Sequence, residues 1–173
     1  MTNTLGEREL MYPHFGEARL NPSIYGRKAM KTETTETEIR NLVDSWLKAV
    51  LDGNMDAIVS HYAPDILAFD AVSQLQFKGV DAYRQHWEAC LALCPGPMIF
   101  EIHDLSIVAG NDVAFCHALN RCGGTGENGE EKVGWMRMTA CYRRLNGQWK
   151  IVHEHFSAPF DIESGRALLD LTP

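Results

Sequence analysis

The run from Met136 to Pro159, MRMTACYRRLNGQWKIVHEHFSAP, constrains the fold more than any other stretch of the chain. Asn146-Gly147 separates two segments of alternating character, and this dipeptide suits a two-residue hairpin turn because both positions tolerate positive φ. The pattern predicts two long antiparallel strands. Side chains alternate faces along a strand, so Trp149, Ile151, His153, His155 and Ser157 are expected on one side and Lys150, Val152, Glu154, Phe156 and Ala158 on the other. A face needed only for packing would carry aliphatic groups throughout. Imidazoles and a hydroxyl among large apolar groups point instead to the lining of a cavity.

Upstream of this hairpin the punctuation is regular. Thr35-x-x-Glu38 is a capping pattern that leads into Ile39, Leu42, Val43, Trp46, Leu47 and Val50, spaced as one face of a helix. Asp52-Gly53-Asn54 ends that helix, and Asn54 can cap a second one, MDAIVSHYA, that stops at Pro64. Asp65 to Asp70 reads as a short strand with Ile66, Ala68 and Asp70 on one side and an acid at its end. Gly79-Val80-Asp81 opens a third helix, closed by Cys94-Pro95-Gly96-Pro97. Met98 to Ala109 and Val113 to Cys122 form a hairpin about Gly110-Asn111-Asp112, and a glycine-rich loop over 123–129 joins it to the final pair. That loop, GGTGENG, has no following Lys-Ser/Thr and opens onto no helix, so it lacks the spacing of a phosphate cradle.

The order is three helices, with a short strand among them, and then a four-strand meander. It predicts an α+β fold in which helices pack on one face of a strongly curved antiparallel sheet and leave a cone. Residues 1–34 carry Pro13 and Pro22 without sustained periodicity and read as an arm. Met30 would itself serve as a start, so whether residues 1–29 belong to the native chain or are an extension or a misassigned start stays open at this point. Residues 35–160 read as the domain and 161–173 as a tail.

At 173 residues the chain has enough length to bury the core of one domain. A formal net charge of -7 argues against nucleic acid or an anionic membrane as partner, since both demand a concentrated basic surface. No apolar run approaches a membrane span and the N-terminus lacks the apolar stretch of a signal peptide, so the expected location is the cytoplasm. Five cysteines with no Cys-x-x-Cys indicate neither a disulfide framework nor a zinc ribbon, and they are read as small core hydrophobes.

With LVDSWLKAVLDGNMDAIVSHYAPDILAFD, FKGVDAYRQHW and LNGQWKIVHEHFSAP in that order, the chain resembles the NTF2-like superfamily of nuclear transport factor 2 and ketosteroid isomerase, in particular its SnoaL-like branch. The resemblance covers roughly Thr35 to Phe160. It implies a cone-shaped fold, a pocket between the helices and the inner sheet face, and a homodimer formed through the outer face. It leaves activity open, because the superfamily holds isomerases, cyclases, dehydratases, association domains and ligand binders. In ketosteroid isomerase the base is an aspartate at the end of the strand after helix two; Tyr62-Ala63-Pro64-Asp65 leads at similar spacing to Asp70, which becomes the candidate base. The tyrosine that donates to the oxyanion there corresponds here to Trp46, seven residues before Gly53. An indole N–H donates a hydrogen bond but does not act as an acid, so steroid isomerisation is not expected.

The candidate catalytic residues are Asp70 as base, His153 and His155 as relays or donors, and Arg137 as a clamp for a carboxylate or enolate. The pocket lining is expected from Trp46, Tyr62, Trp87, His117, Trp135, Thr139 and Ser157. Either face of the Arg137 strand could be inward; the Arg137 face is taken as inward by analogy with the arginine-lined pockets of related association domains. Each has a plainer reading: an acid capping a turn, core histidines, a solvated arginine, helix aromatics that only pack. No metal and no cofactor are expected, because His153 and His155 have no third ligand that the sequence can place. Two functions follow: an isomerase, cyclase or dehydratase acting by proton transfer on a small carbonyl- or carboxylate-containing compound, or a non-catalytic binding or association module using the same cone. An Asp70 free of a permanent cation favours the first, whereas histidines and an arginine pointing into bulk water, or a hollow plugged by Phe and Leu, would collapse the case for small-molecule chemistry and leave only the fold.

Overall fold

A computed structural model of the chain describes residues 22–93, 96–126 and 128–173. Helix α1 (Pro22–Leu51) begins at Pro22 and not at the Thr35 box. No proline or glycine interrupts it from Arg27 to Leu51, and Pro22 is tolerated in the first turn, where a missing N–H costs no hydrogen bond. Thr35 is therefore an interior helix residue, and it is buried. Residues 1–21 of the expected arm lie outside the described residues.

Asn54 caps α2 (Met55–Ser60) by accepting the N–H of Ala57 at 3.1 Å. This helix ends before Pro64, because Tyr62 already belongs to β1 (Tyr62–Phe69). Pro64 is accommodated there in an irregularity of the β1 pairing between Tyr62 and Leu67, where its missing donor breaks no regular ladder. A two-residue strand, β2 (Phe77–Lys78), not anticipated from the sequence, precedes α3 (Val80–Ala92). Gly79 turns the chain between them at φ 83°, a conformation open to glycine at little cost.

The meander follows as β3 (Met98–Ala109), β4 (Val113–Thr125), β5 (Glu131–Leu145) and β6 (Gln148–Ser157). Asn146 and Gly147 have φ of 50° and 83°, which makes the β5–β6 turn the one that the dipeptide predicts. The six strands lie in the order β2-β1-β6-β5-β4-β3, antiparallel except where β1 runs parallel to β6. The fold is the α+β arrangement expected, with the helices on the inner face of the sheet. Ile39, Val43, Trp46 and Val50 of α1 and Tyr83 and Trp87 of α3 share one core with inner-face residues of the sheet.

One residue of β6 changes the reading of the hairpin. Tyr142 pairs with Ile151 and Cys141 pairs with His153, so Val152 has no counterpart on β5 and forms a β-bulge. Trp149 and Ile151 face the core before it, and Glu154 and Phe156 face the core after it. Strict alternation would have carried His153, His155 and Ser157 inward with Ile151. The bulge leaves them on the outer face and brings Glu154 in.

Candidate functional site

Asp70 stands immediately after β1, where the exposed segment 71–76 begins. One carboxylate oxygen accepts the N–H of Val72 at 3.2 Å, and the other lies 3.1 Å from Nε2 of His86. The His86 side chain is 4% exposed and that of Asp70 is 14%. His86 reaches this position because Tyr83, His86, Trp87 and Cys90 form one stripe of α3 at helical spacing. Its ring is stacked on Phe77, with centroids 4.2 Å apart, and lies nearly parallel to Tyr83 at 5.8 Å. The Cys90 sulfur lies 3.6 Å from the same Nε2. The imidazole is thus held in one plane, with a carboxylate along its edge.

A hollow of about 150 Å³ opens beside the pair, bordered by Asp70, Trp87, Met98, Phe100, Met136 and Phe156 among others. Outside segment 71–76 a wider groove of about 550 Å³ is also bordered by Asp70, together with Phe69, Gln74 and His155. Asp70 therefore stands between solvent and the interior.

Behind the pair is a second polar cluster. Glu154 is 1% exposed, and its Oε2 accepts hydrogen bonds from the hydroxyls of Tyr62 and Tyr83, both at 3.0 Å. Trp46 Nε1 donates to the Tyr62 oxygen at 3.0 Å. Burial pushes the Glu154 carboxyl up to about 7; the two phenols act in the opposite direction, and the charge of Asp70 raises it further. Burial, followed by the neighbouring Glu154, raises both phenols well above the ordinary tyrosine range. Tyr83 connects the two clusters, since it donates to Glu154 and stacks on His86.

The residues singled out from sequence divide between the two faces. Asp70 and Trp87 border the hollow, and Trp46 and Tyr62 are buried behind it in the Glu154 cluster. His153, His155, His117, Arg137, Trp135, Thr139 and Ser157 do not enter the cone. His153 Nδ1 lies 2.7 Å from the Leu67 carbonyl, and both β6 histidines meet the Phe69 ring edge-on. Arg137 is exposed because Met136 and Met138 take the inner face of β5; it borders a hollow under the C-terminal residues Leu168, Leu171 and Pro173. Trp135 packs on His103, with centroids 4.9 Å apart. His117, Thr139 and His155 form one cross-strand row, and Arg137 pairs with Ser157 in the next. The expected convergence of these groups on the hollow does not occur: the Val152 bulge and the parity of β5 put them on the convex side, so they no longer support small-molecule chemistry.

Sequence reasoning missed His86, Glu154 and Tyr83 as polar groups of the interior. The α3 stripe was visible as a periodicity, but its histidine could not be paired with Asp70 without the tertiary fold. Among the described residues no group of three or more His, Cys, Asp or Glu is arranged to hold a metal ion. No helix among them is long and apolar enough to cross a membrane.

A family model described as a SnoaL-like domain matches residues 39–161. The chain belongs to the SnoaL-like family. Among solved structures, this SnoaL-like chain is similar to an NTF2-like protein of unknown function from Pseudomonas putida KT2440, with 49% identity over 82% of this chain and 99% of that one and a TM-score of 0.77. It shares its fold with a dehydratase candidate of the NTF2-like family from Streptomyces avermitilis, at 14% identity, 73% and 97% coverage and a TM-score of 0.66. The association domain of C. elegans CaMKII shares it too, at 14% identity, 73% and 97% coverage and a TM-score of 0.61. A comparison with curated proteins finds no match.

Proposed function

We propose that this SnoaL-like protein catalyses proton transfer at a small carbonyl compound, as an isomerase, cyclase or dehydratase, with Asp70 as general base. The observation that carries this reading is the setting of Asp70. Its ion-pair partner among the described residues is His86, a titratable group and not a permanent cation, and its carboxylate borders a mostly apolar hollow. A carboxylate locked to arginine or lysine would be too weak a base. In the reaction, Asp70 takes the proton from the carbon next to the carbonyl, the C–H electron pair becomes the C=C bond of an enolate while the C=O π pair moves onto oxygen, and the protonated Asp70 then returns the proton to carbon. His86, stacked on Phe77 and parallel to Tyr83, keeps the carboxylate aimed at that carbon. The outer-face histidines and Arg137 have no part in this scheme, because they do not reach the hollow.

Exchange of α-protons of cyclohexanone into deuterium oxide, followed by NMR, tests the proposal without knowledge of the natural substrate. Asp70→Asn is expected to slow protein-catalysed exchange on the order of 10²-fold or more while the circular dichroism spectrum is unchanged. Exchange at the wild-type rate in that variant would remove Asp70 from the chemistry.

A further inference from the structure

Asn120 is the one amide in the inner row of β4, which otherwise runs Ala114, Cys116, Ala118 and Cys122. It is 0% exposed, yet neither Oδ1 nor Nδ2 has a hydrogen-bond partner among the described residues. An amide buried in this way is destabilising, whereas an apolar side chain of similar shape would carry no such penalty. Its neighbours connect it to the site. Asn120 pairs across the ladders with Ile102 and Met136 and stands two residues before Cys122, and both Met136 and Cys122 border the hollow that Asp70 borders. Met136 also borders an adjoining hollow of about 380 Å³ next to Leu169. An unbranched thioether with several rotatable bonds can move between two such spaces, and such a movement is the route by which a ligand in the hollow would reach Asn120.

We propose that Asn120 orients the ligand, and that it does so by reading a neutral group with a hydroxyl beside a carbonyl. The proposal rests on the proton-transfer reading for the location of the ligand, while the unpaired amide of Asn120 stands by itself. A carboxamide presents an acceptor oxygen and two donor hydrogens together, which a hydroxy-carbonyl satisfies and a lone ketone leaves half unpaired. An anion is disfavoured, because among the described residues no lysine or arginine borders the inner hollow while Asp70 does. About 150 Å³ is the scale of a cavity that takes a single six-membered ring.

Calorimetry with 2-hydroxycyclohexanone, cyclohexanone and cyclohexanecarboxylate tests this reading. Wild-type protein is expected to bind the hydroxyketone on the order of ten-fold more tightly than cyclohexanone. It should bind the carboxylate most weakly. In Asn120→Leu and Asn120→Val the preference for the hydroxyl falls to parity while cyclohexanone still binds. At least one of the two variants melts no lower than wild type, because the unpaired amide is gone. Absence of the preference in wild type, its persistence in both variants, or a melting temperature lowered in both would overturn the proposal. Asp70→Asn separates the two readings: it should retain the preference while losing α-proton exchange. If exchange persists in Asp70→Asn, the base assignment fails and the role of Asn120 stands.

Discussion

Glu154 shows how one side chain can set a property of the whole protein. Its carboxyl is raised from 4.5 to about 7 by burial, so the folded chain holds this proton more tightly than the unfolded chain does. The corresponding stability is fully present below about pH 4.5 and is lost as pH rises through about 7. The amount is on the order of 3 kcal/mol. Glu154→Gln keeps an acceptor for Tyr62 and Tyr83 and removes the titration. Its melting temperature is expected to exceed that of wild type by several degrees at pH 8 and to approach it near pH 4, as followed by circular dichroism; two parallel curves would contradict this. The outer-face residues supply a contrast. His153→Ala and Arg137→Ala are expected to change α-proton exchange by less than about three-fold, since neither side chain borders the hollow. A large loss in either variant would return these residues to the mechanism.

At the scale of the element, the bulge in β6 decides which half of the hairpin is chemical. Because Val152 is the unpaired residue, deleting it joins Ile151 to His153 and keeps Glu154 and Phe156 on the inner face. Deleting His155 has the opposite effect: Phe156 moves to the convex side, and the core loses an aromatic side chain that is 5% exposed. Thermal melts should show a folded protein for the first deletion, and for the second a loss of about 3–5 kcal/mol or failure to fold. Equal behaviour of the two would mean that the bulge does not control the facing. The same logic separates what was legible in β5 from what was not. Its alternation was plain in the sequence, with Met136, Met138 and Tyr142 in one row and Trp135, Arg137 and Thr139 in the other, but the inward choice was made by analogy, and the packed helices put the first row inside.

At the scale of the molecule, the convex sheet face carries Val108, Val113 and Phe115, exposed by 52%, 62% and 41%, beside the row of His117, Thr139 and His155. Apolar side chains grouped on a sheet face fit the homodimer that the sequence resemblance implies. Light scattering at micromolar concentration is expected to report a dimer that Phe115→Asp weakens; a monomeric wild type would contradict it. Apart from the two-residue β2, the residue sequence by itself determined the helix, strand and turn order over residues 35–157, the Asn146-Gly147 hairpin and the acid at the end of β1, because periodicity, capping and turn chemistry act over a few neighbours. It misplaced the start of α1 for a related reason: a capping pattern is only permissive when no residue before it breaks the helix. The meeting of His86 with Asp70, the burial of Glu154 against Tyr62 and Tyr83, and the outward turn of His153 and His155 were decided only by tertiary structure. These contacts join residues far apart in the chain, and a bulge is defined by the strand opposite it, which no local pattern contains.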